Sequence, residues 1–395
     1  MFKFPKGFWT GLSALMISTS AIAAPMDLDD PDVVAAYVDG IVSPLMHNNN
    51  SPSGTVAIIK DGQLVFAKGY GFQNVEEQIP VDPYTTLFRP GSTSKLFTWV
   101  SVMQLVEQGK LDLDTDVNEY LETVEIEDTF DEPITLRHIL THSAGFEDGS
   151  LGYLITDDPA KSVSLEVAMQ RYQPKRVNPP GAQTAYSNYA TALAGLIVST
   201  ISGLPFNDYV QQNIFDPLGM THSSFVEPLP DNLAETMAAS YKVELGGFSE
   251  QPFEIITSFG PAGAMSSTAI DMLKFAQAIL NGGELNGQRI LKPATVREML
   301  TRNFTHDERL MGMALGFYAT DYNGFRVMGH GGDTRFFHSY LGIDQANDLA
   351  FFVSFGGPGG GAVRSSFAPA FYNEFFPRDE PPPVPPDDFS ERAGR

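Results

Sequence analysis

Ser92 and Lys95 stand three residues apart in the segment 88–99, immediately before a long apolar run. A serine hydroxyl becomes a nucleophile when a base takes its proton, and a neutral lysine one helical turn away can be that base. Burial lowers the pKa of a lysine. Bringing that pKa from about 10.4 to about 7 disfavours the charged form by roughly 4.6 kcal/mol. The same spacing also fits a serine that merely caps a helix, so other segments must distinguish the two interpretations.

Residues 96–106 are apolar on nearly every helical face, which predicts a buried helix rather than an amphipathic one. Gly109 follows at the position where a left-handed residue commonly ends a helix. We therefore expect Ser92 and Lys95 at the start of a buried helix, where backbone N–H groups also favour developing negative charge.

The 395-residue chain carries a net charge of −23, which argues against nucleic acid as a partner because phosphates would be repelled. It contains no cysteine, so disulfides and thiol chemistry are excluded.

Residues 1–24 combine a positive start, an apolar stretch and small residues, which is typical of a cleaved signal peptide and predicts export to the periplasm or outside the cell. One domain over 25–377 and a Pro-rich acidic linker or tail over 378–395 complete the predicted organisation.

Apolar periodicity predicts helices over 33–45, 190–200, 268–280 and 362–375, and a hairpin whose strands include 55–59 and 64–67. Alternating segments over 313–320, 325–328, 337–343 and 349–355 predict an antiparallel meander. We expect an α+β fold in which the hairpin and the meander form one antiparallel sheet. Helices flank that sheet, and a mostly helical region over about 100–300 is inserted in it.

Two other patterns have some features of metal sites. His138 and His142 lie one helical turn apart, but no glutamate base or third ligand accompanies them, so packing and backbone bonding is the preferred interpretation. Residues 111–117 alternate with aspartate but lack the glycine and terminal glutamate of a calcium loop. We expect neither a metal nor another cofactor.

Three separated motifs, Ser92-Thr-Ser-Lys95, Tyr186-Ser-Asn188 and His330-Gly-Gly332, occur in the order and approximate spacing of the serine β-lactamase-like hydrolases. Over about residues 35–375 the chain resembles this superfamily, which includes class C β-lactamases, D-alanyl-D-alanine carboxypeptidases, D-aminopeptidases and β-lactamase-like esterases. The resemblance implies a β-lactamase/transpeptidase-like fold whose active site lies in the cleft where the three motifs converge.

The resemblance also implies roles for individual residues. Ser92 would be the acylated nucleophile, Lys95 its base, and Tyr186 a shuttle that protonates the leaving group. Asn188 would orient Lys95 and the substrate carbonyl.

The strand that starts at His330 would bind the substrate through His330, Gly331, Gly332 and Asp333. The N–H groups of Ser92 and Asp333 would form the oxyanion hole.

Two departures from the superfamily pattern bear on the substrate. His330 stands where β-lactamases typically have lysine, which removes a fixed positive charge and suits esterases and some peptidases. Asp333 would oppose an anionic substrate if its carboxylate faced the site, unless Arg335 neutralised it.

Homologues with a similar His-Gly-Gly-Asp stretch often carry a C-terminal extension, so a missing C-terminal domain is a further hypothesis.

The leading prediction is a serine hydrolase that acts through an acyl-enzyme on Ser92, with short esters or D-amino-acid amides and peptides as small-molecule substrates. One alternative is a penicillin-interacting peptidase of the D-alanyl-D-alanine type or a weak β-lactamase. Another is a binding protein that keeps the fold without turnover. A Ser–His–Asp triad through His142 or His330 is a weaker rival, because no G-x-S-x-G elbow occurs around any serine.

Overall fold

The structure, a computed structural model, describes residues 26–149 and 153–378. The predicted signal peptide over 1–24 and the linker beyond residue 378 therefore lie outside the described residues.

Strands occur in the described residues at both ends of the chain and as short pairs between them. In chain order they are β1 (Ser53–Lys60), β2 (Gln63–Asn74), β3 (Ile79–Pro80), β4 (Ser223–Ser224), β5 (Ser240–Glu244), β6 (Gly247–Gln251), β7 (Ser266–Ser267), β8 (Glu284–Leu285), β9 (Gln288–Arg289), β10 (Tyr318–Tyr322), β11 (Phe325–Asp333), β12 (Phe337–Asp344) and β13 (Leu349–Gly356).

Helices fill the long interval between β3 and β10 and also flank it. They are α1 (Pro31–Asn48), α2 (Lys95–Glu107), α3 (Leu136–Leu140), α4 (Leu165–Arg171), α5 (Asn188–Ser202), α6 (Phe206–Val210), α7 (Asp216–Leu218), α8 (Asp231–Ala234), α9 (Ala269–Leu280), α10 (Pro293–Leu300) and α11 (Gly360–Phe375).

A seven-stranded antiparallel sheet joins the two ends of the chain, in the order β10-β11-β12-β13-β1-β2-β3. This arrangement confirms that the N-terminal hairpin and the C-terminal meander form one sheet. Asp61 and Gly62, both at positive φ, make the tight turn between β1 and β2. β13 pairs with β1 from Gly54↔Phe355 to Lys60↔Leu349, and this ladder closes the two halves of the sheet.

Two predicted strand boundaries in the meander were wrong. β10 begins at Tyr318 rather than at residue 313, because Gly316 turns the chain at φ +84° directly over the Trp99 ring. β11 continues to Asp333 rather than ending at residue 328, so the His330-Gly-Gly motif lies inside a strand. Its register against β12, from Met328↔Ile343 to Asp333↔His338, determines which of its side chains face the site.

The sheet separates two apolar cores, as strand alternation requires. On one face Ile58 and Phe351 pack against α1 and α11. On the other face Ile59 and Phe352 belong to the core that the inserted helical region shares with the sheet. Side chains of β11 divide in the same way, since Val327 belongs to the first core and Met328 to the second.

The helix α2 confirms the predicted buried segment, because every residue from Lys95 to Leu105 is buried. Gly109 lies at φ +68°, and the Lys110 N–H donates to the Leu105 carbonyl at 3.0 Å, which closes the helix as expected.

Within the described ranges, no single helix has the length and apolar content that a membrane crossing requires. The helices Asn188–Ser202 and Phe206–Leu218 reach that content only as a pair bent by 77°.

A buried ion pair anchors the chain just before Ser92. The Arg89 guanidinium donates to the Glu227 carboxylate, and both side chains are fully buried. Arg89 also donates to the Glu254 carbonyl, while the second oxygen of Glu227 accepts from the Ile256 N–H at 2.6 Å. The pair thereby connects the serine segment to the loop that follows β6.

Replacing Glu227 with glutamine should lower the free energy of unfolding by about 3 kcal/mol or more, because Arg89 would keep a buried charge without its counterion. Chemical denaturation monitored by tryptophan fluorescence measures the change. The control is Lys161→Gln, which removes an exposed pair with Asp158 at 3.9 Å and should cost less than about 0.5 kcal/mol. Equal stability of the two variants would show that the Arg89–Glu227 pair does not anchor this segment.

Candidate active site

Ser92 lies in a single 3-10 turn, Gly91–Ser94, that leads directly into α2. Gly91 has φ +56°, and a Cβ there would lie 2.8 Å from the Asp333 nitrogen, so only glycine lets β11 approach this closely. The Thr93 hydroxyl donates to the His330 carbonyl at 3.1 Å, which attaches the turn to β11. Ser92 is thus held against the strand that carries the third motif.

Lys95 is completely buried, and its amine has three polar neighbours. Nζ lies 3.0 Å from Ser92 Oγ, 2.8 Å from Asn188 Oδ1 and 2.7 Å from the Ala262 carbonyl oxygen. A neutral amine has two N–H donors and one lone pair. It can therefore donate to the Asn188 and Ala262 oxygens while its lone pair accepts the hydroxyl proton of Ser92.

Burial lowers the pKa of Lys95 from 10.5 to about 7, although the negative charge of Asp148 opposes part of this change. The amine consequently exists in both protonation states near neutral pH, as a general base requires. Lys95 can act as a base for Ser92 only if its pKa is low. Its burial at the start of the apolar helix α2 produces that low pKa.

Tyr186 borders the same hydroxyl from the other side. Tyr186 and Ser92 line the same cleft, and Lys95 Nζ lies 5.0 Å from the centre of the Tyr186 ring. Desolvation raises the pKa of Tyr186 above its ordinary value. Tyr186 is accordingly a neutral phenol that can donate a proton, and Lys95 is the better base.

Helix α5 places the second motif. The Ser187 hydroxyl accepts from the Ala190 N–H at 3.1 Å, so Ser187 is the N-cap and Asn188 the first helical residue, two residues before the predicted start of this helix at 190. The Asn188 side chain contacts the Lys95 amine through Oδ1, and Tyr186 is the residue immediately before the N-cap. A single helix start thus positions both the tyrosine and the amide.

β11 contributes a backbone edge next to Ser92. A Cβ on Gly332 would lie 1.8 Å from the Pro90 carbonyl oxygen and 2.8 Å from the Ser92 nitrogen, so the strand and the turn touch backbone to backbone. The Gly331 N–H donates to the Tyr318 hydroxyl and therefore points away from β12. N–H groups two residues apart on a strand point to the same edge, so the Asp333 N–H shares this direction. The N–H groups predicted to form the oxyanion hole therefore belong to backbone segments that touch.

His330 is a neutral imidazole. It is 2% exposed, and burial, with a smaller contribution from the charge of Lys95, lowers its pKa to about 3. Its Nδ1 lies 2.6 Å from the Gly331 carbonyl oxygen and must donate to it. His330, which stands where β-lactamases typically have lysine, therefore carries no positive charge at neutral pH.

The Asp333 side chain lies on the opposite face of β11 from His330. Its carboxylate contacts His338 Nδ1 at 2.6 Å and Arg364 Nη1 at 2.9 Å. Burial raises the pKa of Asp333, but hydrogen bonds and charges from His338 and Arg364 outweigh this effect and bring the pKa below its ordinary value. His338 and Arg364, rather than Arg335, neutralise Asp333, because the Arg335 guanidinium donates to the Ile155 carbonyl.

A cleft of about 490 Å³ opens at these residues and crosses the edge of the sheet. One end, the predicted catalytic end, contains Ser92, Tyr186 and His330. From there it passes Gly331, which has no side chain to block it, and continues to a polar end formed by side chains of β10, β11, β12 and α11: Tyr318, Thr320, Tyr322, Asp333, Tyr340, Arg364 and Ser365.

Sequence reasoning missed four parts of this site. The Ala262 carbonyl lies outside the three motifs. Asp148, whose pKa is raised by burial and whose charge reaches Lys95, belongs to no motif. Tyr318 and Arg364 enter through sheet pairing and through α11, which no local pattern indicates.

The two histidines of the 138–142 segment have separate roles in the structure. His138 Nδ1 contacts the Thr135 N–H at 3.2 Å in a capping box at α3, whereas His142 packs on Tyr186. No group of three or more metal-ligating side chains occurs in the ranges that the structure describes.

The model of the Beta-lactamase family matches residues 38–366, so the chain belongs to that family. It is 32% identical to a putative penicillin-binding protein, PbpX, of Bacillus subtilis (strain 168), over 58% of this chain and 55% of the relative, so it spans about half of that relative's length.

Among solved structures, the D-amino acid amidase of Ochrobactrum anthropi SV3 complexed with D-phenylalanine has a TM-score of 0.72 at 21% identity, over 87% of this chain and 98% of that one. EstCE1, a hydrolase with promiscuous acyltransferase activity, has a TM-score of 0.71 at 20% identity, over 87% and 99%. These likenesses confirm the predicted β-lactamase/transpeptidase-like fold.

Substituting Gly332 with alanine should reduce turnover and covalent labelling of the predicted nucleophile Ser92 by about 10²-fold or more, because the Cβ would push β11 away from the Ser92 turn and open the predicted oxyanion hole. Hydrolysis rates and labelling with a fluorophosphonate probe measure the loss. Gly40→Ala is the matched control, since a Cβ there meets nothing within 4 Å and α1 only gains helix propensity. Wild-type labelling of the Gly332 variant would contradict the oxyanion assignment.

Proposed function

We propose that this protein is a serine hydrolase that cleaves short, uncharged esters through an acyl-enzyme on Ser92. The observation that carries the proposal is the contact of Ser92 Oγ with the amine of Lys95, a fully buried base whose pKa is about 7. An amine in this state accepts the hydroxyl proton at neutral pH, which a solvated lysine does not do.

In the acylation step, Ser92 Oγ attacks the ester carbonyl carbon while its proton moves to Lys95 Nζ. The carbonyl oxygen becomes an oxyanion, which the N–H groups of Ser92 and Asp333 stabilise. When the intermediate collapses, the bond to the leaving oxygen breaks and that oxygen takes the phenolic proton of Tyr186. The Lys95 ammonium then returns its proton to Tyr186, so both residues regain their starting states.

Deacylation repeats these steps with water as the nucleophile. Water gives one proton to Lys95 and adds its oxygen to the acyl carbon. Collapse breaks the bond to Ser92 Oγ, which regains a proton from Tyr186, and the carboxylic acid leaves. Lys95 once more restores the phenol, so the cycle consumes only ester and water.

The charge distribution favours a neutral substrate. His330 is uncharged, Lys95 has no exposed surface, and the Asp333 carboxylate is already bound to His338 and Arg364. The catalytic end of the cleft therefore has no fixed cation with which to select an anionic substrate.

A second candidate function, hydrolysis of D-amino-acid amides or of peptides with a free carboxylate, has one observation in its favour. Arg364 lines the polar end of the cleft, and within the described residues a single one of its N–H groups has an acceptor, Asp333. The remaining N–H groups can bind a substrate carboxylate.

Ser92→Ala should reduce p-nitrophenyl butyrate hydrolysis by at least about 10³-fold, the size of loss expected when a nucleophile is removed. Ser366→Ala, on the outer part of α11, is the matched control and should keep full activity. Nitrocefin and a D-alanyl-D-alanine peptide, assayed in parallel with the wild-type protein, should react more slowly than the ester. Faster turnover of either would favour the second candidate, and unchanged ester turnover in Ser92→Ala would overturn the acyl-enzyme proposal.

A further inference from the structure

His142 is a buried imidazole at the active site that the proposed reaction steps do not use. It is 1% exposed and has φ +52°, a left-handed conformation that only a few per cent of non-glycine residues adopt, most often asparagine, aspartate and histidine. A strained residue of this kind persists where the surrounding contacts hold it, and such residues cluster at functional sites.

Its contacts go to three consecutive residues around the catalytic tyrosine. The His142 carbonyl accepts from the Ala185 N–H at 2.6 Å. Its ring stacks on the Tyr186 ring with centroids 4.3 Å apart and planes at 29°. Its Nδ1 accepts from the Ser187 N–H at 3.3 Å, and Ser187 is the N-cap of α5. One histidine thus binds the backbone on both sides of Tyr186 and covers its ring.

The environment keeps this ring neutral and in one orientation. Trp99 of α2 packs edge-on behind it, with centroids 6.0 Å apart. Burial lowers the pKa of His142 well below its ordinary value, and the charge of Lys95 acts in the same direction. Because Nδ1 accepts a hydrogen bond, the ring proton lies on Nε2, which is buried without a hydrogen-bond partner in the described part of the chain.

We propose that His142 is a positioning residue that holds the Tyr186 phenol in line with the leaving group. The inference rests on the proposed function, because it assigns to Tyr186 the proton that the departing oxygen receives. General acid catalysis of this kind contributes about 10²- to 10⁴-fold, and a displacement of about 1 Å in a catalytic group can forfeit a factor of about 10².

The test compares two esters of the same acid, ethyl butyrate and p-nitrophenyl butyrate. Ethoxide must be protonated as it leaves, whereas p-nitrophenolate leaves as a stable anion. His142→Asn removes the stacked ring but retains an amide oxygen near the Ser187 N–H, and asparagine tolerates positive φ. We expect kcat/KM, which reports the acylation step, to fall about 10²-fold for ethyl butyrate and less than about 10-fold for p-nitrophenyl butyrate.

His138→Asn is the matched control one helical turn earlier, and it should leave the ratio of the two kcat/KM values unchanged. His142→Phe, which restores an aromatic ring against Tyr186, should recover most of the ethyl ester activity. If His142→Asn is too unstable to assay, His142→Gly, which removes the ring and adopts φ +52° without strain, gives the same comparison, and an unchanged ratio of the two kcat/KM values overturns the proposal.

Equal losses for the two esters would show that His142 has only a structural role and would overturn this inference alone. A wild-type protein that hydrolyses neither ester nor D-phenylalanine p-nitroanilide would instead overturn the proposed function, and this inference with it.

Discussion

The removal of Lys95 from water is the interaction on which the site depends. Lowering its pKa from 10.5 to about 7 means that burial disfavours the ammonium by roughly 5 kcal/mol. The helix that carries it also buries Leu96, Phe97, Trp99 and Val100 completely, and each such side chain contributes about 1.5–3 kcal/mol. Apolar burial along α2 therefore exceeds the cost of the desolvated amine, and the same helix that stabilises the core lowers the pKa of Lys95.

The two halves of the fold meet at this amine. Lys95 comes from the start of α2, whereas its partners Asn188 and Ala262 belong to the inserted helical region. The sheet joins through β11, where Thr93 donates to the His330 carbonyl and Gly332 allows backbone contact with the Ser92 turn. Because each partner comes from a different segment, a shift of any one of them changes the hydrogen bonds of the base.

Local patterns were sufficient to predict much of this fold. The apolar run of α2, the hairpin with its Asp61-Gly62 turn and the sheet formed from both ends of the chain were all confirmed. Three motifs also identified residues that the structure brings together around Ser92.

What the sequence could not indicate depends on register and long-range packing. The face of β11 on which Asp333 lies follows from its pairing with His338, and its partner Arg364 comes from α11, 31 residues further on. Likewise, the Ala262 carbonyl acts through its backbone, which side-chain motifs do not record. The contact of His142 with Tyr186 joins two loops that are 44 residues apart.

The most direct test of a burial-produced base is an NMR titration of the Lys95 side chain, labelled with carbon-13 at Cε and assigned with Lys95→Met. The neutral fraction should rise as pH increases through a midpoint near 7, and the pH dependence of kcat/KM should rise through the same midpoint. A Lys95 midpoint near 10.5 would mean that the amine stays charged at neutral pH, and it would contradict the assignment of Lys95 as the base that activates Ser92.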